Sequence, residues 1–410
     1  MTRILVLGGG FAGLWAAIGA ARKLDEVGAP PGEVEILLVD RNPYHNIRVR
    51  NYEIDLGSVA LPLGKVLDPI GVNHLTADVR TIDVAKQHVA VTTRHGQEIL
   101  AYDRLVVALG SELARPDIPG LARHGFDVDT YSAAVRLNAH IAALGTSRPS
   151  SGRSTVVVVG AGFTGIEVAT EMPSKLRRTL AADRHRVILV DNNPAVGATI
   201  GAHARPVIGE ALATLGIETR LKSKVAAIDA TGIALASGEI IPAQTVVWCA
   251  GMRASPLAAL LPGTPDRLGR VSVDPFMRVA GLTNAFAAGD VASSLVDGVH
   301  CTVMSCQFAR PMGRFAGHNV VADLFGRPML RLQIDWYVTV LDLGTWGALY
   351  TVGWDRQVFS TGQDAKPIKQ TINQKRIYPP RTGIREDILS AAAPIVQAPP
   401  QYPAAASATG

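Results

Sequence analysis

The sequence predicts an α/β chain with two Rossmann-like dinucleotide-binding domains and a small C-terminal α+β domain. Three observations carry this. A G-x-G-x-x-G pattern at Gly8, Gly10 and Gly13 follows an apolar β run at the start of the chain. The pattern recurs at Gly160, Gly162 and Gly165, again after an apolar run. Each copy precedes a helical stretch and then a second apolar strand that ends on an acid, Asp40 or Asp191. One such glycine pattern is weak; two in the same setting predict two dinucleotides on one chain.

In the first unit Ile4–Leu7 reads as a buried parallel strand and Ala12–Leu24 as an alanine-rich helix close to the sheet. Gly8 permits the tight turn, Gly10 lets backbone approach a diphosphate, and Gly13 lets helix and strand meet. Phe11 and Ala12 stand at the N-terminus of that helix, where free N–H groups and the dipole favour negative charge. Glu35–Asp40 is the next strand, and Asp40, followed by Arg41, is placed to accept from a ribose. The polar insert EVGAPPGE accounts for the long gap between Gly13 and Asp40. LVVALGS at 105–111 adds a strand that ends on the small residues Ala108 and Gly110.

The second unit repeats the design. Thr155–Val159 is its strand; Phe163 follows in the turn, and a helix runs from about Thr164 to Met172, where Pro173 ends or kinks it. Residues 186–193 form the next strand and carry Asp191. An acid here accepts from a 2′-hydroxyl and repels a 2′-phosphate. Asn192 and Asn193 add no cation, so NADH is expected over NADPH. Val246–Cys249 reads as a further buried strand, after which Ala250 and Gly251 turn the chain near the nicotinamide side.

Composition narrows the class. A length of 410 residues accommodates two or three domains. The net charge of +5 is spread over scattered lysines and arginines with no nucleic-acid module, so nucleic acid is not an expected partner. Three cysteines, Cys249, Cys301 and Cys306, make no disulfide framework and fit a reducing compartment. The ten histidines show no metal-ligand spacing. No apolar run has the length of a spanning helix, and the first strand starts too early for a signal peptide. The expected compartment is the cytoplasm; peripheral contact with the inner face of the membrane stays open.

TNAFAAGDVA at 283–292 resembles the flavin signature of flavoproteins with two dinucleotide domains. That resemblance assigns Gly289 and Asp290 to FAD, the aspartate bonding the ribityl chain. It brings the first glycine turn and residues 105–111 to the same cofactor, with Leu109 replacing the usual threonine. With GGGFAGLWAA, DRNPYHN, GAGFTGIEVATEM and WCAGMRASPL added, residues 1–330 resemble the pyridine nucleotide–flavin oxidoreductases, in their type II NADH dehydrogenase branch. The family likeness implies that NADH passes a hydride to FAD, which passes two electrons to a quinone or other small acceptor in a ping-pong cycle. It also implies a place for Glu167 beside the nicotinamide and flavin rings.

Two departures qualify the acceptor. SCQFARPMG at 305–313 keeps Gln307 and Ala309 of the family's quinone-pocket stretch but has Pro311 in place of the second glutamine. The family's C-terminal amphipathic membrane helices are not evident. Glu167, Gln307 and Cys306 are the candidate catalytic residues, Cys306 as a small wall beside the isoalloxazine. His45, Arg48 and Arg50 follow Asp40 where family members wrap the flavin, with a solvated surface as the competing role. An NADH reductase for a soluble carrier protein and a non-catalytic NADH-responsive flavoprotein remain alternatives.

The expected FAD domain is discontinuous, 1–115 and 265–330, with the NAD(H) domain inserted at 116–264. Residues 331–385 form the C-terminal domain, a place for homodimer contacts or acceptor access. Within it Ile334, Trp336, Val338 and Val340 alternate as a strand before a turn at Gly344 and Thr345. The basic segment Lys366–Arg376 reads as a satellite helix of the core or a lipid contact. Residues 386–410, rich in proline and alanine, read as a disordered tail.

Overall fold

A computed structural model describes residues 1–180 and 185–400. In chain order its principal elements are β1 (Thr2–Leu7), α1 (Phe11–Val27), β2 (Val34–Asp40), β3 (Asn73–Thr76), β4 (Arg104–Val107), β5 (Gly125–Phe126) and α2 (Tyr131–Leu144). There follow β6 (Thr155–Val159), α3 (Phe163–Leu180), β7 (Arg186–Val190), α4 (Ala204–Thr214), β8 (Ile217–Arg220), β9 (Thr245–Trp248) and β10 (Ala285–Ala287). The chain continues through α5 (Cys306–Leu324), β11 (Val338–Asp342), β12 (Ala348–Val352), β13 (Gln357–Thr361), α6 (Gly362–Thr371) and α7 (Arg385–Ala391).

Two parallel sheets share one plan. The first has the order β10-β4-β1-β2-β3 and the second β5-β9-β6-β7-β8. Their central strands are continuous apolar runs because helices cover both faces; Ile4–Leu7 and Val156–Val158 are fully buried. In each sheet the strand before the glycine turn lies between the strand that follows it and a later crossover strand. That is the topological switch point, where an open α/β sheet leaves a crevice at its carboxyl ends. The first sheet is completed by β10, a strand that comes after the whole second sheet in sequence.

Helix α1 stops where Gly28 takes a left-handed φ of 68° and its N–H bonds back to Asp25 and Leu24. Helix α2 starts at Thr130, whose hydroxyl accepts from Ala133 N at 3.2 Å. Helices α1 and α5 lie unusually close. A Cβ on Gly313 would fall 2.2 Å from Ala12 O, and one on Gly317 would fall 2.1 Å from Ala16 O.

Several expectations are corrected. Helix α3 does not end at Pro173 but runs to Leu180. Met172, Leu176 and Leu180 are buried in the core, and that packing outweighs one lost backbone bond. Ile334 and Trp336 are not in a strand, which begins at Val338. The backbone there bonds to the first unit instead, Leu332 N to Pro275 O and Ile334 N to Val296 O. The expected tail opens inside helix α7, whose Ile388 and Leu389 join the first core while Arg385 pairs with Asp25. Residues 401–410 of that tail lie outside the described residues. Helix α6 packs Ala365 and Ile368 against Ala348 and Tyr350 of β12, as a satellite of the core.

Candidate active site

The two glycine turns superimpose in their sterics. Gly8 has φ +101° and Gly160 φ +107°. A Cβ on Gly8 would lie 2.4 Å from Ala108 O, and one on Gly160 2.9 Å from Ala250 Cα, so each touches its crossover strand. The third glycines, Gly13 and Gly165, would each put a Cβ 1.7 Å from the carbonyl of the first. The middle glycines differ in kind: around Gly10 and Gly162 a Cβ would meet nothing within 4 Å. Two positions serve close packing and one serves open space, the space a diphosphate needs against backbone. No side chain caps α1, and neither α1 nor α3 has an acid in its first turn. The N–H groups at Phe11–Ala12 and Phe163–Thr164 are therefore donors suited to an anion.

The acids also act inward. Asp40 accepts from Gly9 N at 2.6 Å and from Asn42 N at 2.7 Å. Asp191 accepts from Ala161 N at 2.5 Å and from Asn193 N at 2.6 Å. Each carboxylate thus grips its own glycine turn, and its oxygens keep lone pairs for a ribose hydroxyl. Burial pushes the Asp40 carboxyl up, against the pull of the Gly9 N–H. The exposed Arg41 guanidinium lies 3.5 Å from Asp78, and its positive charge also acts on Asp40.

At the turn before α5, Gly289 has φ +79° and a Cβ there would come 2.7 Å from the Ala12 Cβ and 3.5 Å from that of Ala309. The N-termini of α1 and α5 and the Gly289–Asp290 turn therefore meet. Partial burial raises the pKa of Asp290, and its carboxylate accepts from Ser111 Oγ at 2.7 Å. Arg48 donates to both Ser111 O and Ser111 Oγ at 3.0 Å and pairs with Asp129. The hydroxyl that Leu109 lacks is thus supplied at Ser111, past Gly110 with its φ of +67°. Sequence reasoning passed over Ser111, although it ends the same LVVALGS segment.

His45 donates from Nδ1 to Gly9 O at 2.8 Å, while its buried Nε2 has no partner. Burial lowers its pKa to about 4, so the ring is neutral. Gln307, on the first turn of α5, has a buried Nε2 with no partner. Orphaned polar atoms beside an open glycine turn fit a polar cofactor such as FAD. Burial raises the Cys306 thiol despite Arg310 nearby and raises Cys249 as well, so neither is a poised thiolate; all three cysteines are free.

Glu167 has a partner that sequence reasoning missed. Its Oε1 accepts from Lys369 Nζ at 2.7 Å and from Asp342 N at 3.1 Å. Both side chains are 9% exposed. Burial pushes the Glu167 carboxyl up and Lys369 pulls it back; at Lys369, Glu167 and Asp342 outweigh burial and keep the ammonium charged. Asp342 also binds Lys366 Nζ at 2.6 Å and Tyr52 OH at 3.2 Å. Asn373 links Tyr52 OH to Glu53, and Glu53 pairs with Arg50. The basic face of α6 therefore points inward, and the available signal was the pair of lysines one helical turn apart. Ala250 and Gly251 stand beside the second turn, where Trp248 Nε1 donates to Ala250 O at 3.0 Å.

Residues 2–313 match the family model described as pyridine nucleotide-disulphide oxidoreductase. The chain is 55% identical over 403 residues to an NADH dehydrogenase-like protein of Mycobacterium tuberculosis, covering 98% of this chain and all of that one (100%). It is 30% identical over 356 residues to the demethylphylloquinone reductase NdbB of Synechocystis, covering 85% of this chain and 86% of that protein. The structure of NDH2 from Plasmodium falciparum in complex with NADH matches the fold with a TM-score of 0.76 at 13% identity, covering 95% and 98% of the two chains.

Proposed function

We propose, on the premise that this chain belongs to the pyridine nucleotide-disulphide oxidoreductase family, that it carries electrons from NADH to a quinone. That it is an FAD-dependent, NADH-oxidising enzyme follows from the family and its relatives. FAD, when bound, accepts the hydride of NADH and releases two electrons to an acceptor. The first glycine turn, Asp40, Ser111 and Asp290 hold that cofactor in this reading. The second turn holds the NADH diphosphate, Asp191 takes its adenine ribose, and Ala250–Gly251 flank the nicotinamide half.

The observation that supports a quinone is the buried Lys369–Glu167 pair. Quinone reduction consumes two electrons and two protons, and the hydride brings both electrons but one proton. The second must come from the medium through groups that hold protons under cover. Lys369 Nζ and Glu167 Oε1 are such groups, and the chain Asp342, Tyr52, Asn373, Glu53 leads from them toward the surface. The name of the Synechocystis relative points the same way. Gln307, with a free amide donor, orients the acceptor beside the flavin in this reading.

Steady-state NADH oxidation with a soluble naphthoquinone tests the reading. Turnover with the quinone is expected, and turnover only with a ferredoxin- or rubredoxin-like carrier would replace it. Lys369→Met is expected to slow reoxidation by the quinone at least about tenfold, or ~1.4 kcal/mol of barrier. Flavin bleaching by NADH should fall less. Equal loss in both half-reactions would deny Lys369 a role in proton supply. No helix among the described residues is long and apolar enough to cross a membrane. Co-sedimentation with anionic vesicles tests peripheral contact.

A further inference from the structure

Helix α5 carries Arg310, Arg314 and His318 at four-residue intervals, which aligns them in one stripe. The stripe runs beside the close seam with α1. All three side chains are buried, at 8%, 2% and 5% exposure. The guanidinium carbons of Arg310 and Arg314 lie 5.2 and 4.2 Å from the centroid of Trp15. A buried ring contact offsets part of the cost of removing a cation from water, but only part.

The rest is unmatched. Among the described residues neither guanidinium has a carboxylate or carbonyl partner. Nε of both, Nη2 of Arg314, Trp15 Nε1 and His318 Nδ1 are buried without a hydrogen bond. Burial lowers Arg310 to about 10 and, with Arg310 adding repulsion, Arg314 to about 9, so both stay cationic near neutrality. Two unpaired buried cations that share one ring leave a place for negative charge.

We propose that Arg310 and Arg314 hold an oxyanion carried by the electron acceptor, making the acceptor an aromatic quinone with a sulfonate, carboxylate or phosphate substituent. This rests on the quinone reading above. Arg310 is one helical turn from Cys306 and Gln307, the end of α5 assigned to the acceptor. Its charge acts on the Cys306 thiol and the His45 imidazole. Arg376, from the turn that follows α6, adds a third positive charge near Arg310. The FAD diphosphate has its own donors in the N–H groups at Gly10–Ala12, so it does not require this pair. An oxyanion bound here would lie beside Trp15 of α1, with Arg310 on its side toward Arg376.

The test compares kcat/KM of the holoenzyme for a sulfonated naphthoquinone and its unsubstituted parent. The sulfonated compound is expected to be favoured about tenfold, and the ratio to collapse toward unity in Arg310→Gln and Arg314→Gln through a rise in KM. A ratio near unity in the wild type, or one that neither variant changes, overturns the proposal. So does loss of FAD from both variants on gel filtration, which would give the pair to the cofactor diphosphate. Should the variants fail to fold, the wild-type holoenzyme is titrated with redox-inert naphthalene sulfonate while Trp15-dependent fluorescence and the flavin spectrum are followed. Saturable binding, competed by inorganic phosphate, is expected; no binding overturns the slot. If neither quinone is turned over but the inert sulfonate binds, the quinone reading fails and the oxyanion slot stands.

Discussion

Asp191 does two tasks with one carboxylate. It fixes the second glycine turn through Ala161 N and Asn193 N, and it places a negative charge at the end of β7. That charge disfavours a 2′-phosphate, so Asp191→Ser should narrow the NADH-to-NADPH ratio of kcat/KM by about tenfold, ~1.4 kcal/mol. An unchanged ratio would remove Asp191 from cofactor choice. His45 carries a pH dependence. Its folded pKa is depressed to about 4 from 6.5, so between these values the unfolded chain binds more protons. The contribution is full above about pH 6.5 and is lost as pH falls through about 4, at most ~3 kcal/mol. His45→Gln keeps a donor for Gly9 O without titrating, and its urea midpoint should vary less with pH over this window than that of the wild type. Parallel profiles would reject this role. Asp290 was reached only through the resemblance of TNAFAAGDVA to a flavin signature, whereas the glycines, Asp40 and Asp191 were legible because local sterics and ribose chemistry fix their spacing. Ser111, Lys369 and the buried state of Arg310 were not, since each depends on a partner far away in sequence.

The same division runs through the elements. Strands β1, β2, β6 and β7 and the helices after each glycine turn are legible because an apolar run, a glycine turn and an alanine-rich face agree locally. The C-terminal unit is not, because its elements are fixed by what they pack on. Ile334 alternates like a strand residue yet its N–H goes to Val296 O, and Pro173 reads as a stop yet α3 is held through it by Met172 and Leu176. The α1–α5 seam is the element-scale feature on which the proposed flavin site depends. A Cβ at Gly317 would stand 2.1 Å from Ala16 O and 2.8 Å from Ala20 N, with rigid backbone on both sides. Gly317→Val should therefore part the helices at a cost of ~1–3 kcal/mol or more and lower the FAD-to-protein ratio. Gly209→Ala, in α4 with nothing within 4 Å, is the control and should hold or raise the melting temperature. Equal melting temperatures and FAD content in Gly317→Val and the wild type would show that the seam can yield.

At the scale of the molecule, function requires that two crevices on separate sheets present their ligands to each other. Arg48 is placed to hold that arrangement. It sits in the short turn Arg48–Arg50 of the first unit, and its guanidinium donates to Ser111 at 3.0 Å, pairs with Asp129 and contacts Met252 S at 3.2 Å. Ser111–Leu113 pairs antiparallel with Met252–Ala254, and Asp129 lies just before α2. One side chain therefore touches both strands that cross between the units and the stretch that enters the second. Through Ser111 Oγ the same contact reaches Asp290. Hydride transfer needs reacting atoms about 3–3.5 Å apart, and an error of ~1 Å costs on the order of a hundredfold. Arg48→Met, which keeps the stem and removes the fork, should slow NADH-dependent flavin bleaching in stopped flow by ~10–100-fold. Arg48→Lys should recover little, because an ammonium cannot span the serine and the aspartate as a planar fork does. The loss should appear in the limiting rate at saturating NADH, since the second glycine turn and Asp191 are untouched. A variant that bleaches at the wild-type rate would mean that the antiparallel pair alone fixes the two crevices, and the clamp would have no kinetic part.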